Sequence, residues 1–281
     1  MKIEPLRSFP VELARNVRAV LSDIDDTMTE DGLLPARAYG AMEQMHEAGL
    51  IVVPVTGRPA GWCDLIARQW PVSAVVGENG AFWFSYDRRA RRMVRFHARP
   101  GTQRAADRAK LSAIAERVFA QVPGSAYAAD QDFRSVDVAI DFCEDVARLP
   151  GEDVDRIVGL FRDGGANAKV SSIHVNAWFG DHDKLSTSLA LLSEHFGIDA
   201  RAHPESVVYV GDSPNDEPMF AHFPLSVGVA NVANFANRMT HLPSYITARA
   251  SASGFAELAE TLLAARRAGS AAGIALQTEL S

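Results

Sequence analysis

Short β-rich runs alternate with helix-like stretches from Val17 onward, and this rhythm leaves few folds open. Residues 17–21 (Val-Arg-Ala-Val-Leu) are apolar and bounded by polar residues, as a strand buried in a parallel sheet reads. Residues 35–49 have helical spacing and end at Gly49, a C-cap, before the second run, Leu-Ile-Val-Val-Pro-Val (50–55). Pro59 opens a helix over 59–70, and Val-Ser-Ala-Val-Val (72–76) makes a third strand. Strand and helix in this order mean a parallel sheet with helices on its faces.

The rhythm then breaks. Asn79-Gly80 lies between β-prone runs, two more such runs flank 86–92, and antiparallel hairpins are expected there. A helix over 103–121, a strand over 135–142, a helix over 150–163 and strands near 168–179 follow. From Asp183 the α/β pattern resumes with a helix to Phe196, a strand over 206–211, an apolar run over 224–229, a strand at Tyr245–Ile246 and a helix from Gly254 to Arg267. The expected fold is therefore α/β: a Rossmann-like doubly wound parallel-sheet core, residues 1–86 and 181–281, carrying an inserted α+β cap, residues 87–180. An insertion over the carboxyl ends of a parallel sheet is placed to close a site. There is no internal repeat and no long linker, and the Ala/Gly-rich tail, 268–281, reads either as partly disordered or as an amphipathic end to the last helix.

Composition removes several classes of function. A chain of 281 residues with net charge −7 and 47% hydrophobic residues is globular and long enough for a large core. Its acidity argues against nucleic acid or an anionic membrane as partner. Cys63 and Cys143 have no Cys-x-x-Cys spacing and read as buried structural thiols, not as a zinc or redox pair. The amino terminus lacks an apolar leader and no segment reaches the ~18 uninterrupted apolar residues of a membrane span, so a cytoplasmic location is expected.

Chemistry-bearing residues collect where the predicted strands end. Ligands of open α/β sheets bind just outside the carboxyl ends of the strands. There the first strand runs into Asp23, Asp25, Asp26, Glu30 and Asp31. The second ends in Thr56-Gly57, a hydroxyl and a close-approach position before a helix amino terminus, suited to an anion. Lys184 starts a core helix, and Gly211 lets the next strand exit sharply into Asp212 and Asp216. Taken singly, these read equally well as an Asx-rich turn, a Thr-Gly turn, a solvated lysine and a helix cap. Together the topology brings them to one rim, which coincidence explains poorly, and the crowded acids call for a cation.

Asp-Ile-Asp-Asp-Thr (23–27), Thr-Gly-Arg (56–58), Lys184 and Gly-Asp-Ser-Pro-Asn-Asp (211–216) resemble, in order, the four motifs of the haloacid dehalogenase superfamily. Residues 75–81 resemble the stretch before the large cap of its Cof-like, sucrose-phosphate-phosphatase-like branch (subfamily IIB cap). Asp26 departs from the pattern, since many relatives have Gly there. The resemblance implies a Mg2+ cofactor and phosphoryl transfer on a small phosphorylated molecule. It implies Asp23 as nucleophile through an aspartyl phosphate, Asp25 as general acid/base, and Mg2+ held by Asp23, the Asp25 carbonyl and Asp212, with Asp216 as a further ligand or a support behind one. Thr56, Gly57, Arg58, Lys184, Asn215 and Asn79 are the expected phosphate-binding set. A small-molecule phosphatase is expected, a sugar phosphomutase of the phosphomannomutase kind or a non-catalytic Mg2+/phosphate-binding module being the alternatives. For the substrate, alternation along 171–179 puts His174, Asn176 and Trp178 on one strand face, able to bind the hydroxyls and apolar face of a sugar or polyol, or else to serve only neighbouring backbone and the hinge.

Overall fold

The computed structural model describes residues 3–171 and 173–279, with 269–279 as backbone only. Six parallel strands form the main sheet in the order Glu4–Pro5, Tyr245–Ile246, Leu225–Gly228, Val207–Gly211, Ala19–Ser22, Ile51–Pro54. After the short edge strand Glu4–Pro5 the chain enters the sheet at Ala19–Ser22, adds Ile51–Pro54 on one side, and returns later to build the other side from Val207–Gly211 outward. Asp23 therefore leaves the sheet where the winding reverses, the place at which such sheets bind ligands.

Alternation within the central strands explains the layering. Val20, Val52, Val208 and Val210 point to one face, where the helices Ala36–Glu47, Ala60–Gln69 and the start of Ser251–Glu279 pack. Ala19, Leu21, Val53, Val207 and Tyr209 point to the other, against the helices Lys184–Phe196 and Glu217–His222. Both faces are covered, which is why the strands read as continuous apolar runs.

The expected third parallel strand is shorter than its apolar run. Val75–Gly77 touches the main sheet through one parallel bridge, Val76 to Val55, and pairs antiparallel with Phe82–Asp87, which pairs in turn with Arg92–His97. Pro71 precedes the run, and only the Ser73 N–H, bonded to the Val52 carbonyl at 2.8 Å, continues the contact earlier.

Residues 101–178 build a second layer. Helices Gly101–Gln121 and Gly151–Asp163 cover one face of a four-stranded antiparallel sheet in the order Ala126–Tyr127, Val138–Asp141, His174–Trp178, Asn167–Val170. Leu111, Ile114, Ile140, Phe161, Val175 and Ala177 form its core. The strand read over 171–179 is a turn followed by the strand His174–Trp178: the Ser171 hydroxyl accepts the His174 N–H at 3.0 Å in the turn that follows Asn167–Val170. The alternation itself holds, with Val175 and Ala177 in the apolar core and His174, Asn176 and Trp178 buried on the opposite face.

The final helix runs as backbone to Glu279, twelve residues past its expected end at Arg267; an amphipathic character for the tail lies outside the described side chains. Of the two cysteines only Cys63 is fully buried; Cys143 is half-exposed in the loop after Val138–Asp141. Among the described residues no helix is long and apolar enough to cross a membrane.

Candidate active site

Three buried carboxylates meet at the strand ends. Asp23, Asp212 and Asp216 each offer an oxygen within 4.8 Å of the others, and none is more than 4% exposed. Lys184, itself buried, donates to Asp23 Oδ1 and Asp216 Oδ1 at 2.8 Å each. An Asp183–Ser186 capping box fixes the start of its helix. The loop Glu78–Gly80 seats that helix: Thr187 donates to the Gly80 carbonyl at 2.6 Å, and any Cβ on Gly80 would lie 2.0 Å from the Asp183 carbonyl oxygen.

The acids are not equivalent. Asp216 Oδ1 accepts from Lys184 and the Tyr209 hydroxyl, and Oδ2 from the amides of Asp212 (3.0 Å) and Ser213 (3.2 Å). Its acceptor sites are filled by protein. Gly211 permits this approach, because a Cβ there would lie 2.3 Å from Asp216 Oδ2. Asp212 has only two long contacts, from Thr27 (3.2 Å) and Asn231 (3.3 Å). Burial raises Asp23 to about 8, with Asp216 and Asp25 adding to it against the pull of Lys184. Burial, then Asp216 and Asp23, lifts Asp212 well above the usual carboxylate range. Lys184 goes the other way from what burial alone would do, raised by Asp216 and Asp23. Three carboxylates against one ammonium leave negative charge to balance. A hard divalent cation fits oxygens of this kind, and Asp23 and Asp212 have the capacity to hold it.

Asp25, two residues after Asp23, is gripped by Arg58: Nε lies 3.0 and 3.1 Å from its two oxygens and Nη2 lies 2.9 Å from Oδ1. Arg58 Nη2 also reaches Glu144 at 2.9 Å, and Glu144 meets His174 Nε2 at 2.8 Å. The His174 bond, together with Arg58, lowers Glu144 to about 2.

Asp23, Asp25, Gly57, Arg58, Asn215, His174 and Asn176 thus line one cleft between the two layers. Thr56 and Lys184 lie just beneath it; Thr56 is fully buried and its Oγ1 accepts the Arg58 N–H at 3.0 Å. Asn79 is not brought to the cleft. It sits under Gly57, where a Cβ would come 3.2 Å from its Nδ2. Trp178 also stays away: it is 3% exposed and its indole N–H bonds to the His182 carbonyl at 3.0 Å. It fills the return to the core, and the sugar-stacking expectation for it does not hold. Asp26 adopts φ 56°, a conformation that costs Gly nothing and Asp little.

A buried polar clamp beside the cleft went unread in the sequence. Glu78 accepts amide N–H groups from Ala60 (3.0 Å) in the core and from Ser135 (2.8 Å), Val136 (2.6 Å) and Asp137 (3.0 Å) in the insertion. Arg134 answers from the insertion, donating to the Gly57 carbonyl at 2.8 Å and to Asp130 and Asp137. Asn176 Nδ2 donates to Asp137 at 3.1 Å. Burial, then Asp137, raises Glu78 to about 7.

No family model matches the sequence and no curated protein matches it. Solved structures do. A protein from Thermoplasma acidophilum aligns at 17% identity over 88% of this chain and 98% of its own, with TM-score 0.66. A HAD/Cof-like hydrolase from Plasmodium vivax aligns at 18% over 90% and 99%, TM-score 0.64. A sugar phosphatase of HAD subclass IIB aligns at 16% over 82% and 93%, TM-score 0.55. The chain has the haloacid dehalogenase-like fold of these structures.

Proposed function

We propose that the protein is a Mg2+-dependent phosphatase of a small phosphomonoester, working through an aspartyl phosphate on Asp23, with residues 101–178 as the cap over the site. The observation that carries this reading is Lys184 bridging Asp23 and Asp216 beside Asp212, with Asp25 two residues further on, all at the switch point of a haloacid dehalogenase-like sheet. Phosphomonoester hydrolysis needs the dianion neutralised and a nucleophile held in line. Asp23 supplies the nucleophile, splitting one displacement into two. Lys184 pulls Asp23 toward its ionised form against the effect of burial and offsets charge on the phosphoryl oxygens, and Thr56 with the amides after it hydrogen-bonds them. Asp25, oriented by Arg58, gives a proton to the departing alkoxide and later takes one from the attacking water. Asp23, the Asp25 carbonyl and Asp212 would hold Mg2+, which when bound supplies positive charge to the phosphoryl group and the nucleophile. Asp216 holds Lys184 and the Asp212–Ser213 amides in place.

The layers close the cleft to about 10 Å³ of free space, room for about one water. A turnover therefore includes opening of the cap, which carries Glu144 and His174 away from Arg58. The polar lining from His174 and Asn176 favours a sugar or polyol as leaving group. A phosphate-release screen over sugar phosphates, nucleotides and phospholipid headgroups tests the reading. Release from at least one class, abolished by EDTA and restored by Mg2+, is expected; no release from any, or full rate after chelation, would refute it.

A further inference from the structure

Trp62, Leu65, Leu33 and Phe133 are the strongly exposed large apolar side chains among the described residues, apart from Val11, and they gather in one place. Trp62 and Leu65 from the core helix, Trp70 just after its end, Leu34 from the loop after the first motif and Phe133 from the insertion line a groove of about 370 Å³. Leu33 lies between two of its lining residues, Gly32 and Leu34. Its one ionisable lining residue is Asp25, which also lines the cleft holding Asp23. Arg58, which grips Asp25, lies 4.5 Å over the Trp62 ring and joins the two spaces. Gly61 lets Phe133 settle on the helix, since a Cβ there would stand 3.0 Å from the Phe133 Cβ. The groove is thus walled from both layers.

We propose that this groove holds an apolar body, of aryl or branched-alkyl size, on the alcohol that leaves. The inference rests on the phosphatase reading and narrows its substrate class from a bare sugar or polyol to an alcohol carrying an apolar substituent. The leaving oxygen must come to Asp25, because that carboxyl protonates it. The phosphoryl cleft is too small for the rest of the alcohol. Of the spaces that open from the cleft, the one sharing Asp25 is apolar. The competing spaces lie beyond Ser171: one of about 710 Å³ borders Asp212 and is edged by Arg148 and Arg238, and one of about 260 Å³ reaches Asn215 and is edged by Arg162, Lys169 and Arg238. That is the metal side, and it suits a second anionic group on the substrate.

Paired esters separate these possibilities. For the Mg2+-loaded enzyme, kcat/KM for 2-phenylethyl phosphate should exceed that for ethyl phosphate by at least about tenfold, the gain an apolar pocket gives per group. Leu65→Gln and, on the other wall, Phe133→Ser should each collapse that ratio, while Val11→Ser, exposed and remote from the groove, keeps it. A parent ratio near one, a ratio unmoved by both groove variants, or a larger gain from a carboxylated or bisphosphate ester than from the phenyl group would overturn the proposal. Calorimetric titration of Asp23→Asn with 2-phenylethyl and ethyl phosphate reads binding without turnover. Tighter binding of the phenyl ester to this variant, with no phosphate release from any ester by the Mg2+-loaded parent, would leave the groove assigned and refute the phosphatase reading. Equal binding of the two esters would refute the groove. A dimer in sedimentation, with Trp62 emission shielded on association, would show a second copy covering the groove and would also overturn it.

Discussion

Lys184, held between two buried carboxylates, divides their labour. Asp23 faces the cleft with one oxygen engaged by the ammonium, whereas Asp216 spends all its acceptor sites on Lys184, Tyr209 and two amides. In the proposed mechanism Asp23→Asn removes the attacking charge but keeps the shape, so turnover should fall by several orders of magnitude with the circular dichroism melt little changed. Residual activity within about tenfold of the parent would contradict the nucleophile role. Asp25→Asn should slow the proton-transfer steps by about 10²–10⁴-fold, seen in pre-steady-state traces. Asp212 and Asp216 should differ in kind. Asp212→Asn should raise the Mg2+ concentration needed for half-maximal activity and move the urea midpoint little. Asp216→Asn either strips Lys184 of an acceptor or sets an amide donor against two N–H groups, costing about 3–5 kcal/mol of stability. Metal titrations and urea unfolding of both variants check this; the reverse pattern would make Asp216 the ligand and Asp212 the support.

At the scale of elements, what was legible in the sequence was whatever a period or a strand end announces. Runs such as 17–21 and 50–55 are apolar on both faces, so they read as buried parallel strands, and the topology alone predicted that Asp23 and Lys184 would meet although 161 positions separate them. The two-residue strand Glu4–Pro5 and the helix Val11–Asn16 were not legible, because neither is long enough to show a period. The clamp of Glu78 and Arg134 was hidden for another reason. A glutamate before Asn-Gly reads as a turn residue, and no spacing pairs it with an arginine 56 positions away in a polar stretch. Its energetics should nonetheless exceed those of any surface pair. Glu78→Ala leaves four N–H groups without their acceptor, each costing about 1–3 kcal/mol if water cannot reach it. Arg134→Met leaves Asp130 and Asp137 buried against each other, a change of about 3–5 kcal/mol. Both variants should unfold at lower urea and become susceptible to proteolysis around 130–137, with Gly57 losing the donor to its carbonyl and kcat falling as well. Parent-like proteolysis in both would show that other contacts hold the layers together.

For the whole molecule, the two crossings between the layers carry a pH dependence. His97 ends the outgoing hairpin and His182 lies on the return, where Arg99 faces it. Burial, then Arg99, lowers His182 from 6.5 to about 4, and the carboxylates of Asp183, Asp107 and Asp181 only partly oppose this. Burial, then Arg104 and Arg95, lowers His97 from 6.5 to about 4. Between pH 6.5 and 4 the unfolded chain therefore binds protons at these positions that the folded chain does not. Stability contributed by the neutral rings is full above 6.5 and is lost as pH falls through the window. For the largely buried His182 the slope reaches about 1.4 kcal/mol per pH unit; the half-exposed His97 contributes less, being screened by solvent. Glu78 works against this trend, since a carboxyl raised from 4.5 to about 7 favours the folded state at the acidic end of the same range. The parent's own pH profile is thus a difference of opposed contributions, and the informative quantity is parent minus variant. Urea unfolding of the parent and of His182→Gln at half-unit steps from pH 7 to 4 should give curves that converge as pH falls, because the variant has no ring to protonate. Curves that stay parallel across that range would mean that the His182 ring titrates alike in the folded and unfolded chain, and the crossing would then be insensitive to acid.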